Sequence, residues 1–317
     1  MPIPNGVSAA EIELLRDGTL AHDKAEVLCR MASYAYFTSE PEIQNALGTN
    51  WSGLETWLDE DINNQGFAVW ADGVAVVSFR GTDSTSDWKR NSEGLFPDPH
   101  PLGGRRHDGF FDVWAQKSEV VRQILETTIP SNCQLWLTGH SLGGVVATAT
   151  AADFLLSPPA RVNAGMAVVT FGQPRYGNEQ FQQAYDQRML ERHWFYANDG
   201  DPVPHLGPSF WGYRHGGTLQ YFNEDGTHLP LTKDQAGLQA APAGALEEAA
   251  RRWRQLDERV GRIQTREQLE AIVDDIARDL GNFTVSAPPP GGLQGELPWS
   301  VEAHSLEVYW QRIKALT

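Results

Sequence analysis

Gly139-His140-Ser141-Leu142-Gly143-Gly144 sets a serine between two glycines in the pattern Gly-X-Ser-X-Gly. A serine hydroxyl is a poor nucleophile near neutral pH. It attacks only when a base takes its proton, and that base needs a carboxylate to fix its tautomer. The pattern alone is weak, and its context decides it. A nucleophile elbow requires a strand before the serine, a helix after it, and glycines that let the backbone turn sharply without Cβ clashes. The apolar run ending at Leu137 and the small-residue stretch Val145–Ala152 supply both flanks. Such a turn exposes Ser141 Oγ at the carboxyl end of its strand and aims the positive end of the helix at developing negative charge.

For a nucleophile carried on such an elbow the chain order is Ser, then Asp or Glu, then His. Asp201 follows the apolar run Trp194–Ala197, in a loop stiffened by Pro202 and Pro204, with Asp199 as its competitor. Of the nine histidines, His22, His100, His107, His140 and His193 precede Asp201 and are disfavoured by order. His205 is only four residues beyond Asp201, too close to turn back onto its carboxylate from a rigid loop. His304 opens a terminal helix after a long loop and is the favoured base, with His228 and His215 as alternatives. The oxyanion formed on attack needs two aimed donors. One is the backbone amide of Leu142. The other must come from an earlier strand end, where Thr82 in Phe79-Arg80-Gly81-Thr82-Asp83-Ser84 offers an amide and a hydroxyl, although alone that segment reads as an ordinary β-turn.

These residues must be held by a sheet. Phe67–Trp70 and Val74–Phe79 are β-rich runs flanking Asp72-Gly73, a dipeptide suited to a type I′ hairpin turn. Three further apolar runs, Leu135–Leu137, Met166–Phe171 and Trp194–Ala197, alternate with helix-length segments near 110–127, 142–156 and 178–191. Strands alternating with helices imply a buried, mostly parallel sheet. Near the amino terminus, Ala25–Tyr36 carries apolar residues at three- and four-residue steps and reads as a packing helix. The spacing of Ala249, Trp253, Leu256, Val260 and Ile263, followed by a capping box at Thr265 and Gln268, predicts a helical hairpin over 236–285, its apolar stripe docked on the main domain. Residues 1–317 thus read as a single α/β domain with that hairpin inserted, and Ala287–Gly295 as a loop.

Composition bounds the function. Twenty-five Lys and Arg against 41 Asp and Glu give 317 residues a net charge of −16, a field that repels nucleic acid and anionic headgroups. No apolar run reaches the roughly 20 residues of a membrane span. Met1–Arg16 lacks the basic start and apolar block of a signal peptide, so a cytoplasmic location is expected, with export by a signal-independent route left open. Cys29 and Cys133 stand in no metal-ligand or disulfide spacing and read as two buried thiols. No metal site is expected.

Val76–Trp88, His107–Phe110, Gly139–Gly144, Val169–Arg175 and Asp201–Leu206 resemble, in order, the successive motifs of the class 3 lipases, the fungal-type lipase family, over residues 67–207. The resemblance implies an α/β-hydrolase fold with Ser141 as nucleophile, Asp201 as acid, His304 as base, and Thr82 with Leu142 as the oxyanion hole. It also implies a lid around Ser84–Phe96. Members hydrolyse triacylglycerols, phospholipids or feruloyl esters without a metal or organic cofactor. The expectation is therefore a serine ester hydrolase acting on a small-molecule acyl ester or lipid, in transient contact with a lipid interface. Readings with the same residues are an acyltransferase and an inactive interaction module. This chain departs from the family in carrying Ala303 where Asp commonly precedes the histidine, and in the 103-residue step from Asp201 to His304. The lid segment offers only Trp88, Leu95 and Phe96 as apolar residues, which favours a modestly lipophilic ester. Trp211 and Trp299 read first as packing residues and second as walls of an acyl pocket.

Overall fold

Successive side chains along a strand point to opposite faces, so a strand that is apolar at every position must be covered on both. Val74–Phe79, apolar but for Ser78, whose hydroxyl donates to the Met31 carbonyl, is such a strand and is buried throughout. The computed structural model describes residues 2–58, 65–81, 98–206, 212–231, 250–258 and 302–317. Within them an eight-stranded sheet runs in chain order: β1 (Gly53–Trp57), β2 (Gly66–Ala71), β3 (Val74–Phe79), β4 (Gln134–His140), β5 (Gly165–Phe171), β6 (His193–Asn198), β7 (Thr218–Phe222) and β8 (His228–Leu231). The five strands β3 to β7 are mutually parallel, and β1, β2 and β8 add antiparallel edges. This is the mostly parallel sheet expected from the alternation of strand and helix patterns.

Each parallel step moves one place in the same direction. Right-handed crossovers then put the connecting helices among the described residues on one face. Asp108–Ala115, Ser118–Gln123, Leu142–Leu156 and Glu179–Met189 occupy that face, where Trp114, Val121, Val145, Phe181 and Tyr185 pack on Ala75, Val77, Leu135, Leu137 and Val168. The alternate residues Val76, Trp136, Ala167, Val169 and Phe171 face the other way, under the helices His22–Tyr34 and Leu306–Lys314. His22–Tyr34 lies against that face and is buried at ten of its positions. Its Glu26 accepts a 2.7 Å hydrogen bond from the Trp310 indole, which fastens the carboxy-terminal helix in place.

Several details differ from the sequence expectation. Gly73 has a left-handed backbone (φ 76°) but Asp72 does not, so the β2–β3 turn lacks the two positive φ angles of type I′. The single helix expected over 110–127 is two helices, followed by a π-helical turn at Ile124–Thr128. Strands β1, β7 and β8 carried no clear signal. β1 is an edge strand with only Trp57 buried, so its composition is not constrained to alternate. A second, four-stranded sheet joins Tyr213–Arg214, Gly177–Asn178, Arg105–Arg106 and Asp98–Pro99. Of the expected insertion, residues 250–258 are helical, and they dock through Leu256 and through Trp253, whose ring lies 4.2 Å from that of His205. The second helix of the hairpin and the Ala287–Gly295 loop lie outside the described residues. Cys29 and Cys133 are free and buried, and among the described residues no helix is long and apolar enough to cross a membrane.

Two stability predictions follow from this packing. Trp136 is fully buried and its indole donates to the Leu15 carbonyl at 2.6 Å. Trp136→Ala is expected to lower unfolding free energy by about 3–5 kcal/mol in urea titrations, and a loss under about 1 kcal/mol would contradict this account of the core. Burial also pushes His107 down to about 4, and burial with a neighbouring charge does the same for His100 beside Arg106 and His228 beside His22. The unfolded chain therefore takes up these protons first as pH falls. Their contribution is full above about pH 6.5 and lost as pH drops toward 4. The urea midpoint should fall between pH 7.5 and pH 5, and a flat profile would count against neutral interior histidines.

Candidate active site

The elbow is built by close approach of backbones. Ser141 caps the helix Leu142–Leu156 with φ 56° and ψ −129°, a region that side chains rarely adopt and that costs about 1–3 kcal/mol unless its surroundings enforce it. They do so here. A Cβ on Gly143 would sit 2.2 Å from the Phe79 carbonyl oxygen, so only glycine lets the helix start pass the end of β3. The Ser141 amide donates to the Phe171 carbonyl at 2.9 Å, tying the elbow to β5. Ser141 is fully buried, and among the described residues its Oγ has no hydrogen-bond partner. The Leu142 amide lies in the first turn of the helix, where amides have no carbonyl four residues back and are available to an anion.

Asp201 and His304 meet beside this turn. His304 Nδ1 lies 2.9 Å from Asp201 Oδ2, both side chains have no exposed surface, and His304 Nε2 has no partner among the described residues. A carboxylate next to Nδ1 holds the proton there and leaves Nε2 bare as the basic atom. Asp201 is itself satisfied twice more: the Val203 amide donates to Oδ1 at 2.9 Å and the Tyr309 hydroxyl to Oδ2 at 2.6 Å. Burial, followed by the Asp201 charge, pushes the Tyr309 phenol far up, so it stays a proton donor.

The competing candidates lie elsewhere. Asp199 accepts from Tyr221 and pairs with Arg252 at 2.6 Å. His228 bonds Gln220, His215 approaches the Pro204 carbonyl and stacks on Phe195, and His205 faces Asp257. Thr82, the 84–96 lid, Trp211 and Trp299 lie outside the described residues. Gly81, the last residue before Thr82, packs against the elbow, where a Cβ would sit 3.2 Å from that of Ser141.

Sequence reasoning missed three contributors. Tyr309 lies in the terminal helix and Asn198 at the end of the run before the Asp201 loop, and neither was singled out, yet Asn198 donates to the Ala303 carbonyl at 2.7 Å and accepts from Arg312 at 3.0 Å. Gly172 has φ 58°, and a Cβ there would lie 2.8 Å from two His304 ring atoms and 3.0 Å from Asp201 Oδ2. Its place inside Val169–Arg175 was the one available signal.

A serine elbow on a parallel sheet, with a His–Asp pair at the strand ends, is the arrangement of the serine α/β-hydrolases. Residues 76–211 match the family model described as Lipase (class 3). Relatives include Phospholipase A1-II 3 of Oryza sativa subsp. japonica, 27% identical over 66% of this chain and 58% of that protein. Another is secreted mono- and diacylglycerol lipase 1 of Fusarium solani, 32% identical over 50% and 46%. This chain thus spans about half the length of the curated relatives it matches. The fold is similar to that of the solved Rhizomucor miehei triacylglyceride lipase, at 20% identity and a TM-score of 0.54, over 77% of this chain and 94% of that one.

The packing of Gly172 predicts that Gly172→Ala forces His304 off Asp201. The rate at which a fluorophosphonate labels Ser141 should then fall at least about 100-fold with the protein still folded, whereas an unchanged rate would show that the pair tolerates the methyl group.

Proposed function

We propose that the chain is a serine carboxylic-ester hydrolase that cleaves acyl esters of lipids through an acyl-enzyme. One observation carries this reading: the bare Nε2 of a buried, Asp201-held His304 and the unpartnered Oγ of Ser141 are both left without another use in the site. Ser141 Oγ attacks the ester carbonyl carbon as its proton passes to His304 Nε2. The carbonyl oxygen becomes an oxyanion that accepts hydrogen bonds from the Leu142 amide and from Thr82, each worth about 3 kcal/mol of barrier. Collapse breaks the bond to the alkoxide, which leaves with the proton from His304. Water then attacks the acyl-enzyme, giving its proton to the same nitrogen, and Ser141 Oγ departs with that proton as the carboxylic acid is released. Asp201 stays ionised throughout and stabilises the imidazolium.

The names of the relatives, a phospholipase A1 and a mono- and diacylglycerol lipase, support a lipid acyl ester as the substrate class. The test is hydrolysis of p-nitrophenyl esters from acetate to palmitate, above and below their aggregation threshold. Wild type should turn over and Ser141→Ala should lose more than about 10⁴-fold in kcat, with Asp201→Asn losing about as much through the wrong tautomer. Activity that rises with chain length or at aggregation assigns a lipid substrate, and a short-chain preference without that rise assigns a soluble ester. Equal turnover in wild type and Ser141→Ala sinks the hydrolase reading.

A further inference from the structure

The chain returns to the site 103 residues after Asp201, having passed through β7, β8 and the docked 250–258 helix, and a connection of that length does not by itself set the geometry at its far end. The short turn Glu302–His304 must therefore be placed by tertiary contacts. Two successive carbonyls of this turn accept such contacts. Asn198, at the end of β6, holds the Ala303 carbonyl, and His140, the residue before the nucleophile, approaches the His304 carbonyl with Nε2 at 2.7 Å. A carbonyl only accepts, so His140 carries its proton on Nε2. In the neutral ring Nδ1 is then an acceptor, and the Tyr36 hydroxyl donates to it at 2.9 Å. His140 is almost wholly buried, and its ring centroid lies 4.4 Å from that of His304 at a 35° tilt. The Tyr36 hydroxyl also nests against Gly81, where a Cβ would sit 2.3 Å away. A single line of contacts thus joins the chain that leads to Thr82, the residue before Ser141, and the backbone of the base.

We propose that His140 is a positioning residue for His304, and that Tyr36 fixes its tautomer, so that nucleophile and base are held as one unit across the long insertion. This inference rests on the ester-hydrolase reading. His140 touches no reacting atom, and its contribution is the distance and angle between His304 Nε2 and Ser141 Oγ. The charged and titratable groups facing it are His304, Tyr36 and, 6.2 Å away, Tyr309. Burial, with His304 beside it, keeps its own imidazole neutral well below the usual range, so it adds no positive charge against the base as His304 takes up its proton.

The test measures kcat and KM on p-nitrophenyl butyrate for wild type, Ser141→Ala, His140→Leu, His140→Gln and Tyr36→Phe, with thermal melting of each. His140→Leu should lower kcat about 100-fold with KM within about twofold. His140→Gln, which keeps an N–H donor of similar reach, should recover about tenfold of that loss, and Tyr36→Phe should cost about three- to tenfold. The tautomer has its own readout: nitrogen NMR of wild type should show His140 neutral with its proton on Nε2 from about pH 5 to 8. If kcat of folded His140→Leu matches wild type while Ser141→Ala is dead, or if the proton sits on Nδ1, the positioning role is overturned and the hydrolase reading stands. Absence of Ser141-dependent turnover in wild type overturns both.

Discussion

A carboxylate with no exposed surface governs the centre of this molecule. An ionised group taken out of water is tolerated only when its lone pairs are filled, and stranding one costs about 3–5 kcal/mol. Asp201 meets that demand with the Val203 amide on one oxygen and with His304 and Tyr309 on the other. Each donor imposes something on the fold. The amide requires the tight Pro202–His205 turn, His304 requires the chain to come back across the sheet, and Tyr309 requires the carboxy-terminal helix to lie over β6. Gly172 completes the set by supplying no side chain where the pair needs room.

The sheet is what makes these demands compatible. Because β3 to β6 advance in one direction, their crossover helices share one face and leave the other free for His22–Tyr34 and Leu306–Lys314. The elbow, the Gly172 turn and the Asp201 loop follow the carboxyl ends of β4, β5 and β6, three adjacent parallel strands. Adjacency within a parallel sheet brings together residues far apart in the chain. Within the Asp201 loop, the His205 carbonyl accepts from Arg175 at 2.9 Å, and Arg175 also pairs with Asp257 of the 250–258 helix, so the inserted segment is tied to the same corner.

Strain is concentrated where chemistry would occur. Ser141 is one of two non-glycine residues with positive φ among those described, and its conformation is held by β3, β5 and the helix it caps. The cost is spread over contacts that already belong to the core, so the elbow is rigid before any ligand arrives. The His304 turn is different. It is a short helical turn held by hydrogen bonds to its backbone carbonyls and by the packed helix that follows it at Leu306.

Local chemistry was legible in the sequence. The elbow is a strand, a turn and a helix within some twenty residues, and its glycines and flanking apolar runs carry their reasons with them. The same holds for the buried parallel strands, whose largely apolar runs say that both faces are covered, and for Asp201 in its proline-stiffened loop. The choice of His304 was reachable only as a preference, because chain order leaves His215 and His228 in place. What the tertiary structure decided is every contact between segments far apart: His304 with Asp201, Tyr309 on the same oxygen, Asn198 on Ala303, His140 on His304. Periodicity reports which face of an element is buried but not which partner waits there. A histidine, tyrosine or asparagine at a buried position reads the same whether it fills space or holds a base, and only the folded chain, by bringing positions a hundred residues apart to within 3 Å, separates the two.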